Sequence, residues 1–297
     1  MQILNKDGTM KVLMIGATGE YAGLVVPELK QRGAMIRALV RDESKSEAAR
    51  QQGADETVIG DLHDPNSLRA AAGGVDAVFH INPAFAPDES DLGVTMVEAA
   101  RAAGVRKFVF SGVIHPSISR MANHAAKRPV EEAIYESGME FTVLQPAMFM
   151  QTIGSSWSAV LESGQLSLPY SRRVKTAFVD YRDVAEAAAM ALTGDDLAYG
   201  TFELCAPGMV DRVELAAMMS EALGRTIEAG EPPFEDWARL AGIPEGPIRE
   251  GLARMYVEYD RHGFPGGNAL VLRTILGREP RTLRQYIYEL SAEAAHR

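Results

Sequence analysis

The chain has 297 residues, enough to bury a doubly wound α/β domain and leave roughly 100 residues for a second lobe. Its 46% hydrophobic and 24% charged residues are ordinary globular values, so the chain is expected to fold throughout. A formal net charge of -10 without a basic stripe argues against nucleic acid as a partner, and no apolar run is long enough to span a bilayer.

The single cysteine, Cys205, excludes an intramolecular disulfide and fits a reducing compartment. Met1 to Thr9 carries no apolar core of signal-peptide length, so the cytoplasm is the expected location. That segment reads either as a loose tail or as an extended start to the first strand.

From Lys11 the pattern is a βα alternation. Lys11 to Ile15 reads as a strand, Tyr21 to Gln31 as a helix, Met35 to Val40 as a strand and Lys45 to Gln52 as a helix. The rhythm continues through Thr57 to Ile59, Ser67 to Ala72, Ala77 to His80, Leu92 to Ala103 and Phe108 to Ser111. Val12-Leu13-Met14-Ile15 is apolar on both faces, as in a central parallel strand covered by helices on each side. The fold expected is a Rossmann-type doubly wound parallel sheet.

Phe141 to Leu144 supplies a sixth strand and Thr176 to Val179 another short one. Asp64 is placed to cap one helix, with Pro65 at its first position, and Asp183 to cap the Ala-rich helix through Leu192. Thr201 to Cys205 would close the sheet. The Rossmann domain is thus expected over residues 10–150, with 176–206 returning to it. Residues 151–175 and 207–297 are richer in Gly, Pro and aromatics and form a smaller, mostly helical lobe, with helical spacing over Val213 to Leu223, Ile248 to Tyr259 and Leu283 to Ala295.

Gly16-Ala17-Thr18-Gly19-Glu20-Tyr21-Ala22-Gly23 follows the first strand and opens the first helix. Gly16 permits the tight turn, Gly19 admits a pyrophosphate close to the backbone, and the helix start offers free N–H groups to it. Thr18, Glu20 and Tyr21 complete that loop. The second strand ends at Val40-Arg41-Asp42, where the adenosine ribose of a dinucleotide lies. Arg41, with Lys45 nearby, favours a 2'-phosphate and hence NADP(H), with NAD(H) as the alternative. Asp61 and Leu62 suit the adenine, although Asp61 equally suits a turn. His80, Ile81 and Asn82 end the fourth strand beside the other ribose, where a lone histidine is also often a satisfied, half-buried residue.

Gln145 to Met150 follow the sixth strand, placing Pro146 beside the nicotinamide. Met148, Phe149, Met150, Trp157 and Phe178 offer a soft apolar pocket for an aromatic or alkenyl substrate, against the plainer reading of core packing. No spacing of His, Cys and carboxylates points to a metal.

With Gly-Ala-Thr-Gly at Gly16 to Gly19, Val40-Arg41 and Gly60-Asp61-Leu62, the chain resembles the NmrA-like branch of the atypical short-chain dehydrogenases/reductases. Lys127, Glu131, Ser137-Gly138-Met139, the Phe141 to Pro146 stretch and Leu276 to Arg281 look like further family signatures. The resemblance implies NADP(H) in a cleft between two lobes. It implies either a reductase of a small, largely apolar carbonyl, quinone or α,β-unsaturated compound, or a non-catalytic NADP(H)-sensing regulator with a protein partner.

The wider superfamily uses Ser, Tyr and Lys, with Tyr four residues before Lys. Here Ser111 and Lys127 match, but the residue four before Lys127 is Asn123, which cannot release a proton near neutral pH. The resemblance therefore leaves Lys127 to bind the nicotinamide ribose and stabilise developing charge with Ser111, and water, His115 or His124 to supply the proton. Lys127 also has a plainer reading, as the exposed partner of Glu131 one turn on. Pro129 places the helix start near Lys127, which weakens the analogy with a Tyr and Lys sharing one face.

Overall fold

The computed structural model describes residues 9–295, so most of the uncertain Met1 to Thr9 segment lies outside the described residues. In chain order the first half runs β1 (Lys11–Ile15), α1 (Val25–Gln31), β2 (Met35–Val40), α2 (Ser46–Gln51), β3 (Glu56–Ile59), α3 (Pro65–Ala72) and β4 (Ala77–Ile81). It continues with α4 (Glu89–Ala102), β5 (Lys107–Ser111), α5 (Ala122–Ala125), α6 (Arg128–Glu136) and β6 (Glu140–Pro146). The second half comprises β7 (Met148–Phe149), α7 (Gln151–Ser155), α8 (Trp157–Ser163), β8 (Gln165–Ser167), β9 (Thr176–Val179), α9 (Tyr181–Thr193) and β10 (Gly200–Leu204). It closes with β11 (Met209–Val210), α10 (Arg212–Leu223), β12 (Glu228–Gly230), α11 (Phe234–Leu240), α12 (Pro247–His262), α13 (Leu270–Leu276) and α14 (Leu283–Ala295).

Seven strands form one parallel sheet in the order β10-β6-β5-β4-β1-β2-β3. The winding reverses between β1 and β4, and ligands of open α/β sheets lie at the carboxyl ends of strands beside such a reversal. Pleating divides β1 between two cores: Val12 and Met14 join the layer under α1 and α9, and Leu13 and Ile15 join the layer under α3 and α4. β10 closes the sheet beside β6, as the sequence predicts.

Two details depart from the sequence reading. β9 does not enter the main sheet; it lies between β7 and β11 in a three-stranded sheet. α9 is capped by Asp180, which accepts from the Arg182 amide at 2.9 Å. Asp183, the predicted cap, is fully buried one turn in and is bridged by Arg278 and Arg281 of the C-terminal signature. Asp64 does cap α3, with Pro65 at its first position.

A separate core of Ile153, Trp157, Leu215, Met219, Tyr286 and Ile287 joins α7, α8, α10 and α14. No helix among the described residues is long and apolar enough to cross a membrane.

Candidate active site

The turn after β1 is built around two glycines. Gly16 has φ of 78°, and its carbonyl accepts the Gly19 amide at 2.8 Å. A Cβ on Gly19 would stand 3.1 Å from that same carbonyl, so a larger residue would push the loop open. Among the described residues no backbone acceptor takes the N–H groups of Thr18, Glu20 or Tyr21, which leaves these donors for a bound anion. The first helical turn, Ala22–Leu24, is a tighter 3-10 turn, and the α-helix proper starts at Val25.

A cavity of about 890 Å³ runs from this turn along the carboxyl ends of β1 to β4. It is lined by Gly16, Thr18, Gly19, Glu20 and Tyr21, by Arg41 and Lys45, by Asp61 and Leu62, and by Ile81 and Asn82. Arg41 and Lys45 are exposed at the β2 end. Asp42 turns its carboxylate back onto the Ser44 amide at 3.0 Å, which leaves Arg41 to meet an anion there. His63 bridges Asp61 and Asp88, both at 2.9 Å, and so ties together the exits of β3 and β4. Those two contacts raise its pKa. The glycine cradle, the open amides and the basic β2 end fit a phosphorylated dinucleotide.

A second cavity of about 410 Å³ adjoins the first and shares Tyr21 with it. Tyr21 packs edge-on to Phe149 with centroids 4.7 Å apart, and Phe149 packs on Tyr181 at the same separation. Met148, Phe149 and Phe178 line this cavity; Met150 and Trp157 do not, being buried in the core of the smaller lobe. Its other walls include residues the sequence reading missed: Tyr170 stacks on Tyr256 at 5.3 Å, Trp237 meets Tyr256 edge-on at 5.2 Å, and Phe264 and Arg212 lie beside them.

The candidate catalytic side chains do not converge. Ser111 is fully buried and accepts the Tyr181 hydroxyl at 2.9 Å. Lys127 is 6% exposed and lines neither cavity; its Nζ pairs with Glu89 of α4. Glu131, the partner one turn on, instead accepts from Gln145 at 2.9 Å. Lys127 precedes the first residue of α6 while Asn123 sits in α5, so the two belong to different helices. His115 lies outside both cavities, with Nε2 3.1 Å from the Pro265 carbonyl. His80 is fully buried against Asn82, and Pro146 lies at the end of β6; neither lines either of these two cavities.

Of the polar side chains between Ser111 and Lys127, Asn123 and His124 line the second cavity. His124 Nδ1 lies 3.2 Å from the His115 carbonyl, which can only accept, so Nδ1 carries the hydrogen and Nε2 is left as an acceptor without a partner. Burial pushes the His124 pKa down to about 4, so the ring is neutral near pH 7 and is no proton donor there. The Asn123 carbonyl oxygen also lacks a partner, and its amide nitrogen meets only Met255 Sδ at 3.8 Å.

The loop after β4 walls both cavities: Asn82 and Pro83 face the first, and Ala84 and Phe85 the second. Glu89 holds it, accepting the Phe85 amide at 2.8 Å through one carboxylate oxygen and Lys127 through the other.

The family model of the NmrA-like family matches residues 8–288. The chain belongs to this family. The NAD(P)H azoreductase of Xenophilus azovorans is 33% identical over 281 residues, 93% of this chain and 96% of its own. Among solved structures, triphenylmethane reductase of Citrobacter sp. complexed with NADP(H) superposes with a TM-score of 0.82 at 25% identity, over 95% of this chain and 99% of that one. The NADPH-dependent quinone oxidoreductase of Escherichia coli, complexed with NADPH, shares the fold with a TM-score of 0.82 at 23% identity, over the same shares. This NmrA-like chain thus shares the fold of NAD(P)H-dependent reductases along nearly its whole length, with a Rossmann-like seven-stranded sheet at its centre.

Proposed function

We propose that this NmrA-like protein is an NADPH-dependent reductase of a small, largely apolar carbonyl, quinone or α,β-unsaturated acceptor. The observation that carries the reading is the meeting of two cavities at Tyr21, one cradled by glycine and lined with Arg41 and Lys45, the other walled by aromatic rings. The azoreductase and triphenylmethane reductase relatives support it. When bound, NADPH supplies a hydride from C4 of its nicotinamide.

The amides of Thr18, Glu20 and Tyr21 hold the diphosphate, Arg41 and Lys45 the 2'-phosphate, Asp61 and Leu62 the adenine, and Ile81 and Asn82 the second ribose. The acceptor gains the hydride and one proton. With Tyr absent and His124 neutral and sealed in the wall, solvent water gives that proton and the hydroxide left takes one back from bulk solvent, while the Asn123 amide donates to the oxygen on which charge develops. Lys127 is a positioning residue: through Glu89 it fixes the loop that walls both cavities. Ser111 fixes Tyr181, and with it the Phe149 and Tyr21 stack.

NADPH oxidation with a panel of quinones, enones and ketones tests this, with turnover expected for flat conjugated members. No turnover with any member, alongside tight cofactor binding that alters association with another protein, overturns it in favour of a regulator.

A further inference from the structure

Three cations are buried among the described residues, and two of them are neutralised. Lys107 reaches Glu140 at 2.6 Å, and Lys127 pairs with Glu89. The third, Arg212, opens α10 on the far wall of the aromatic cavity and is 4% exposed. Its Nη2 donates to the Tyr170 carbonyl, and its guanidinium carbon lies 4.6 Å from the Tyr170 ring centroid. Nε and Nη1 are sealed from solvent and have no acceptor.

Glu231 and Asp260 act on Arg212 only through space, less strongly than its burial, and no carboxylate among the described residues bonds it directly. Glu231 accepts the Arg172 amide at 2.9 Å, Asp260 the Ser171 amide at 2.5 Å, and the neighbouring Asp211 caps α10 through the Glu214 amide at 2.9 Å. Arginine stays charged at any working pH, and a sealed guanidinium with open N–H groups is unfavourable unless something supplies the missing oxygen. Were Arg212 only packing on Tyr170, an apolar side chain would fill the same place without that desolvation.

Resting on the reductase reading, we infer that Arg212 anchors a carboxylate carried by the substrate, so that the cavity selects a flat aromatic acid over its neutral analogue. The small sheet sets the length of that molecule. Phe149, which packs on Tyr21, lies on β7, while Arg212 follows β11 by two residues. β7 and β11 are two strand spacings apart, about 10 Å, the span of two or three fused rings. Tyr170 and Tyr256 supply stacking faces for those rings, and the guanidinium receives the acid at the far end.

The test pairs anthraquinone-2-carboxylate with its carboxamide, using the full chain. NADPH oxidation should give a kcat/KM at least tenfold higher for the carboxylate, and calorimetry on the NADP⁺-loaded protein should show the same preference in affinity. Arg212→Met should bring both ratios toward one, and Arg212→Lys, which keeps the charge but loses the planar fork, should leave an intermediate preference. Equal kcat/KM and equal affinity for the two compounds in the wild-type protein overturn the anchor, whether or not the variants fold, and leave the reductase reading standing if both are reduced. Carboxylate-selective, Arg212-dependent binding with no reduction of either compound supports the anchor and refutes the reductase.

Discussion

Replacing Glu89 with glutamine isolates the ion pair that holds the loop between the two cavities. Glu89 is 2% exposed and Lys127 6%, so neither charge is solvated, and each depends on the other. Removing one partner of a buried pair typically costs about 3–5 kcal/mol, because the remaining charge stays desolvated. The substituted amide would keep one acceptor oxygen, enough for either the Phe85 amide or Lys127 but not both. That places the expected loss near the lower figure, about 3 kcal/mol. Adding Lys127→Met removes both charges, and this double variant should return to within about 1 kcal/mol of wild type. Urea unfolding of the cofactor-free protein measures both, with equal m-values confirming that the unfolding transition is unchanged. Because Lys127 acts on the proposed reaction only through Glu89, kcat/KM should fall in the single variant and recover in the double. A Glu89→Gln loss below about 1 kcal/mol would refute the energetic argument. A stable but inactive double variant would instead put Lys127 at the reacting atoms.

Two further outcomes follow from the same geometry. Arg41→Ala should weaken NADPH binding roughly 10- to 100-fold, the worth of a charge-assisted contact, while leaving NADH affinity unchanged; equal loss of both, measured by fluorescence titration, would refute the phosphate role. Burial pushes the pKa values of His80 and His124 down to about 4, against an ordinary 6.5 that applies once the chain unfolds. Below 6.5 the unfolded chain therefore takes up protons that the folded chain refuses, so stability falls as pH falls from 6.5 toward 4. Each ring should remove about 1.4 kcal/mol by roughly pH 5.5. Urea midpoints that stay level between about pH 7 and 5.5 would show that these rings are not buried as neutral groups.

How far the sequence carries depends on whether a residue's role is settled by its neighbours in the chain or across it. Val12 to Ile15 can be read as a central strand because a strand covered on both faces must be apolar at every position, a local condition. The glycine turn is legible for the same reason, since the φ of Gly16 and the close approach at Gly19 are backbone demands made within a few residues. The cap of α9 is not, because Asp180 and Asp183 satisfy the local rule almost equally. What separates them is Arg278 and Arg281, far along the chain, which claim Asp183.

The same logic governs the catalytic reading. Spacing offers Lys127 a partner at Glu131, but Lys127 instead pairs with Glu89, 38 positions earlier on a different helix. Arg212 shows the limit most plainly. At the start of a helix and next to an aspartate, it has the local signature of a solvated arginine, and nothing nearby in sequence marks it as buried. Tyr170 and the tyrosines of α12 enclose it, and only their packing turns an ordinary charge into a sealed donor with no acceptor. A charge that sequence alone would place in water, yet the fold withholds from it, is where a ligand most economically supplies what the protein does not.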